Sequence, residues 1–150
     1  MAAPFTPLDP GYAARVRGSF ARQGAMGLVG AELHRVEPGL VEIGLAFRPD
    51  LSQQHGFFHA GVSAMIADSA GGYAAFTLFP ADASVLTVEF KLNLLAPARG
   101  ERLKALGRVL RAGRTLAVCE LQVFALAEGR ESLCATGLQT VMRLDGRPDA

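Results

Sequence analysis

The chain has 150 residues, half of them apolar, which is one domain's worth with enough hydrophobic mass for a real core and excludes a disordered polymer. A formal charge of +1 gives no general pull toward nucleic acid or an anionic membrane. Outside one central segment, no run of about 18 apolar residues escapes interruption by charge, Pro or Gly, so no membrane span is expected.

Met1 to Asp9 carries Pro4 and Pro7 and has neither a basic nor an apolar leader region, so a signal peptide is not expected. Asp9-Pro10 reads as a helix cap followed by Pro at the first helical position. Tyr12, Val16 and Phe20 then repeat every four residues, predicting an amphipathic helix over 10–22. Residues 24–37 read as a strand with weak alternation, Pro38-Gly39 as a turn and 40–48 as a second strand.

Gln53 to Gly56 is a polar, glycine-punctuated loop, and His59-Ala60-Gly61 leads into an apolar run. Val62, Met65, Ile66, Ser69, Tyr73 and Phe76 follow helical spacing, with Asp68 the one carboxylate among small neighbours. So apolar and small-sided a helix is expected to be wrapped closely. Pro80 ends it, and the period drops to two.

Val88, Phe90, Leu92 and Leu94 alternate with Thr87, Glu89, Lys91 and Asn93, and Pro97 to Gly100 turns the chain. Leu103, Ala105, Gly107 and Val109 form the inward row of the next strand. Arg111 to Arg114 reads as a hairpin turn, and 115–126 and 132–144 as two long strands. If those two strands form a hairpin with its tip at Gly129-Arg130, Cys119 and Cys134 stand about 20 Å apart. That is beyond disulfide reach, and two buried thiols suit a cytoplasmic protein. The expected division is an N-terminal helix and arm over 1–23, a domain over 24–144 and a loose polar tail over 145–150.

The predicted order is helix, two strands, long helix, then four strands in a meander. That is α+β, with helices on one face of a largely antiparallel sheet whose edges invite a second copy. Three stretches resemble the hotdog-fold acyl-CoA thioesterases of the phenylacetate-degradation (PaaI-like) type. They are Gln53, His55-Gly56, His59-Ala60-Gly61 and Asp68; the alternating strand Thr87 to Pro97; and the hairpin Arg111 to Thr115. The resemblance covers 24–144 and implies a curved sheet wrapped around the long helix. Two residues depart from the family pattern: Gln53 stands where Asn is usual, and Ala60 where the first Gly of H-G-G is usual. If position 60 works through its main-chain N–H, Ala keeps that donor.

Thioester hydrolysis needs a base or nucleophile and a place for an oxyanion. A helix N-terminus leaves N–H groups unpaired, which makes those of Ala60 and Gly61 candidate donors. Asp68 is the only acid in the helix, and no G-x-S-x-G elbow offers a serine instead. His59 and Asp68 are separated by about 900° of rotation and about 13 Å of rise, so one helix cannot bring both to one carbonyl.

The resemblance implies a dimeric site at the subunit interface, and two dimers pairing further. It also implies a Thr87 hydroxyl near the reacting centre and a positioning role for Gln53. His59 is expected to brace its loop. Contact with coenzyme A falls to His55 and Gly56 and to the hairpin residues Arg111, Gly113 and Arg114. No metal and no cofactor beyond the coenzyme A of the substrate are expected; His55 and His59 have ligand-like spacing, but on a loop. Whether Asp68 activates water or attacks directly stays open. So do two other readings, an enoyl-CoA hydratase or dehydratase and a non-catalytic acyl-CoA-binding domain. Phe57, Phe58, Tyr73 and Phe76 would favour an aromatic or medium-length acyl group if they line the site.

Overall fold

Glycine and proline punctuation cuts residues 5–149, those described by the computed structural model, into three α-helices, one 3-10 turn at Pro49–Leu51 and six strands. The first helix, α1, spans Tyr12–Arg22. It starts two residues later than predicted, because the Asp9 carboxylate is occupied in the turn before it, accepting from the Gly11 N–H at 2.8 Å. The predicted strand over 24–37 is half helix. Gly24–Val29 forms a short α2, which buries Met26 and Val29 and stops at Gly30, whose φ of 72° is the left-handed conformation that ends helices. Only Glu32–Glu37 is strand β1. Two glycines in six residues give α2 poor intrinsic propensity, so packing rather than local preference makes it helical.

Strand β2 spans Leu40–Ala46, and β3 to β6 span Ser84–Leu94, Arg102–Ala112, Leu116–Ala127 and Arg130–Leu144. All pairings are antiparallel, in the order β1-β2-β4-β5-β6-β3. The expected four-strand meander is therefore only three strands long. β3 pairs with β6 at the far edge, and the chain crosses the end of the sheet to reach β4. That crossing is fixed by main-chain bonds from Leu95 N–H to the Cys134 carbonyl, Phe58 N–H to the Ala98 carbonyl and Glu101 N–H to the Leu126 carbonyl. Alternation tells which residues face a core but not which strand lies beside which. The hairpin turn also sits one step later than predicted, at 113–115, because β4 runs on to Ala112.

Two bulges change the faces that strict alternation assigns. In β3 the register shifts between Thr87 and Glu89, so Val88 is an extra residue. Thr87 pairs with Val141 and Phe90 with Gln139, which puts Thr87 on the same face as Phe90, Leu92 and Leu94 rather than on the opposite one. In β4 the shift lies at Leu110, and Arg111 pairs with half-buried Val118 between the buried Ala117 and Cys119. This turns Arg111 to the outer face of the sheet.

The central helix α3, Ala60–Phe76, lies across the inner face and is buried continuously from Ser69 to its end. Its backbone rests on strand backbone at Gly107, where an added Cβ would come within 2.3 Å of the Ala70 carbonyl carbon and oxygen. No side chain at position 107 is compatible with that approach.

The last turn of α3 is fastened by Arg15 on α1. Its guanidinium donates to the carbonyls of Phe79 and Pro80 at 2.8 Å each, and to those of Phe76 and Ala83 at 3.2 and 3.3 Å. It also stacks 4.2 Å over the Phe76 ring and pairs with Asp9 at 3.0 Å. A positive fork on carbonyls left unpaired at a helix end is the favoured electrostatic arrangement. Among the described residues no helix is long and apolar enough to cross a membrane.

Candidate active site

The start of α3 is built by its loop. The Gln53 side-chain carbonyl turns back on its own loop to accept from the His55 and Phe57 N–H groups, and the Gln53 main chain pairs with Phe57 and Gly56. Gly56 completes this turn with a φ of +80°. His59 caps the helix: its Nδ1 accepts from the Gly61 N–H at 2.8 Å. That bond assigns the proton of the neutral ring to Nε2. A Cβ on residue 61 would lie 2.9 Å from that Nδ1, so glycine there makes room for the cap.

The cap narrows the set of candidate donors. Gly61 has given its N–H to His59, while Val62 and Ser63 both donate to the His59 carbonyl. The Ala60 N–H has no partner among the described residues, and Ala60 is exposed. Of the two oxyanion donors expected from the sequence, only Ala60 is left free.

Two turns along α3, a second cluster forms. Thr87 Oγ1 donates to Asp68 Oδ1 at 2.8 Å, and Gln139 Nε2 donates to the same oxygen at 2.7 Å. Asp68 is half-buried at the wall of an open cavity of about 450 Å³, bordered by Ser19, Gln23, Ser69, Tyr73 and Thr87. The helix start borders a different, smaller cavity of about 150 Å³, with Gln53, Phe57, Ala60, Ser63 and Leu94 in its wall. One chain therefore keeps its acid and its free helix-start donor in separate cavities. Eight positions apart on a regular helix, Ala60 and Asp68 are separated by about 12 Å along the axis.

The remaining candidates lie elsewhere. His55, Gly56 and His59 are exposed on the loop before α3; Arg111, Gly113 and Arg114 are exposed on the β4–β5 hairpin, away from both cavities within one chain. Among the described residues no three His, Cys, Asp or Glu side chains gather closely enough to hold a metal ion. Of the four aromatics, Phe58 and Phe76 are core; Tyr73 reaches the Asp68 cavity with its hydroxyl 3.1 Å from Ser19, and Phe57 borders the smaller one. Both cysteines are buried, and burial pushes the Cys119 thiol up to about 12 and Cys134 upward as well, so neither is an activated nucleophile.

This arrangement of helix start, mid-helix acid and curved sheet has counterparts. The thioesterase superfamily model matches residues 55–131, just over half of the chain and the whole span from His55 through the β4–β5 hairpin. The chain belongs to the thioesterase superfamily.

A crystal structure of a thioesterase family protein from Silicibacter pomeroyi is 48% identical to this thioesterase. It superposes with a TM-score of 0.89, covering 91% of this chain and all of that one. The PaaI protein of the E. coli phenylacetic acid degradation operon superposes at 0.83 over 94% of this chain and 99% of its own. At 15% identity it speaks for the fold alone, which is the hotdog fold. A protein of Saccharolobus solfataricus, whose name assigns it provisionally to the esterases, is 31% identical over 75% of this chain and 72% of its own. Hydrolysis of thioesters is the general chemistry that membership carries.

Sequence reasoning passed over one residue of this thioesterase's acid cluster, Gln139. The signal was present. In the last strand Ala135, Gly137, Gln139 and Val141 share a face, and a lone amide in an otherwise small or apolar inward row calls for a polar partner.

Proposed function

We propose that the chain hydrolyses acyl-CoA thioesters at sites each shared by two copies. The observation that carries this is the separation of the chemistry into two cavities, acid in one and free helix-start N–H in the other. Two α3 helices packed antiparallel would set the Ala60 N–H of one copy against the Asp68 carboxylate of the other. The edge position of β3 supports the pairing, because its outer rim exposes Val88, Phe90 and Leu94, each at least 41% accessible. A second apolar row, exposed Leu86 and Leu116 flanking Met142 on the outer face, favours two dimers packing into a tetramer.

In this reading the thioester carbonyl oxygen receives the Ala60 N–H as charge builds on it. Asp68 either takes the proton of an attacking water or attacks the carbonyl carbon itself, and coenzyme A leaves as the thiolate. Gln53 and His59 hold the loop that presents the Ala60 N–H. Arg111 and Arg114, with Gly113 allowing close approach, meet the phosphates of coenzyme A from a neighbouring chain, beside His55 and Gly56. No cofactor takes part, and the reduced, buried cysteines fit a cytoplasmic enzyme.

The test is a panel of acetyl-, hexanoyl-, benzoyl- and crotonyl-CoA with detection of free thiol, run with and without EDTA. Release of thiol from the saturated and aromatic thioesters, unchanged by EDTA, is the expected result. Hydration of crotonyl-CoA without thiol release would replace this reading with a hydratase. Loss of turnover on chelation, restored by a divalent ion, would overturn the metal-free mechanism.

A further inference from the structure

Gln139 is wholly buried near the centre of β6, where its main chain pairs with Phe90 and Cys119 but its side-chain amide serves the site instead. All of its donor capacity points at one residue and that residue's partner. Nε2 lies 2.7 Å from Asp68 Oδ1, 3.0 Å from the Asp68 main-chain carbonyl and 3.1 Å from Thr87 Oγ1. Two N–H groups thus serve three acceptors. The amide orientation is dictated by chemistry, since a flipped Gln139 would set its carbonyl against the Asp68 main-chain carbonyl, which can only accept. The consequence falls on Oε1, which is buried and has no hydrogen-bond partner. It points at Gly71, where a built Cβ would come within 1.9 Å of it. The fold thus leaves a buried acceptor unpaired, and a glycine opposite it, to keep the amine on Asp68. An orphaned buried carbonyl is a net cost to the fold, so a side chain kept here only for packing would be better replaced by an apolar one.

Both donors converge on Oδ1, and no hydrogen bond reaches Asp68 Oδ2 among the described residues. We infer that Gln139 is a positioning residue: with Thr87 it clamps one carboxylate oxygen of Asp68 and so aims the other, unencumbered, into the cavity. This deepens the proposed function and rests on Asp68 being the acid of that site. Gln139 touches no substrate; it acts by fixing the rotamer of Asp68.

Without the Gln139 amide, Thr87 alone holds Oδ1, and the carboxylate is freer to rotate about its Cβ–Cγ bond. Few other ionisable groups surround the cavity. Tyr73 on α3 has its phenol pushed upward, mainly by burial. Arg22 on α1 and Asp149 pair with each other at 2.9 Å. β3 and β6 present only the neutral Thr87 and Gln139 to Asp68.

The test compares wild type, Gln139→Met and Gln139→Asn as full chains. Two readouts are used: the Asp68 side-chain conformation in crystal structures, and kcat and KM with hexanoyl-CoA. Gln139→Met keeps the length and removes the donors, so the Asp68 carboxylate should leave its wild-type rotamer or spread over more than one, with kcat down about 10-fold and KM within about twofold. If Met at this position prevents folding, Gln139→Asn keeps a buried amide but withdraws it by one methylene, and the same loss in kcat without a matching rise in KM is expected. An Asp68 rotamer unmoved in the folded variant overturns the inference, whatever the activity. Wild type inactive on hexanoyl-CoA, with the Asp68 carboxylate displaced in the variant, sinks the hydrolytic reading and leaves the clamp standing.

Discussion

An Asp68→Asn variant is expected to fold as the parent does and to lose about 100-fold or more in kcat. The geometry makes this a selective change. Asn keeps a carbonyl where Oδ1 accepts from Thr87 and Gln139, so the buried donors stay paired and the melting temperature should hold within a few degrees. What is lost is the charge on Oδ2, and with it both basicity and nucleophilicity. Circular dichroism and steady-state kinetics on acyl-CoA measure the two sides separately. A folded, homogeneous Asp68→Asn protein with near-normal kcat would remove Asp68 from the mechanism.

Two individually inactive variants are expected to restore activity when mixed. Asp68→Asn lacks the acid, and Ala60→Pro lacks the one free donor of the helix start. The structure makes the second substitution unusually clean. Ala60 is the first residue of α3, where Pro is favoured; its N–H has no partner among the described residues; and His59, at φ −64° and ψ 138°, already has the extended backbone that precedes a proline. If each site joins the acid of one copy to the donor of the other, a mixed dimer holds one site with both defects and one intact. Random pairing of equal amounts makes half the dimers mixed, so activity should return to about one quarter of wild type. Differential tags isolate the mixed species. If purified mixed dimers are as inactive as the parents, acid and donor do not come from different copies.

The long helix and its start were legible because they depend on near neighbours. A polar loop, a capping His, a glycine two residues on and a 3.6-residue apolar period occupy one continuous stretch, from Gln53 to Phe76. The inward row Leu103, Ala105, Gly107 and Val109 was legible for the same reason, and all four are buried. What was missed involves counting across distance. The place of β3 beside β6 is a choice among edges of equal pattern. Gln139 is polar for the sake of an acid 71 positions away, and Arg15 reaches carbonyls more than 60 positions on. The Gly61 donor was misjudged at shorter range, because the same His59 that marks the helix start also uses up its N–H.

The bulge in β3 separates the identity of a residue from the fact of its presence. Val88 is 52% exposed and touches neither Asp68 nor Gln139, yet its place in the count turns Thr87 toward the acid. Exchanging its side chain for another apolar one of similar size should leave the edge of β3 and hydrolysis close to normal, and a conservative scan would record the position as silent. Removing the residue restores plain alternation, rotates Thr87 to the far face of the strand and strips Asp68 of one of its two donors. Here, then, is a position where the acid depends on the count rather than on the letter: what Thr87 needs from residue 88 is that it be present, and only a deletion series would reveal it.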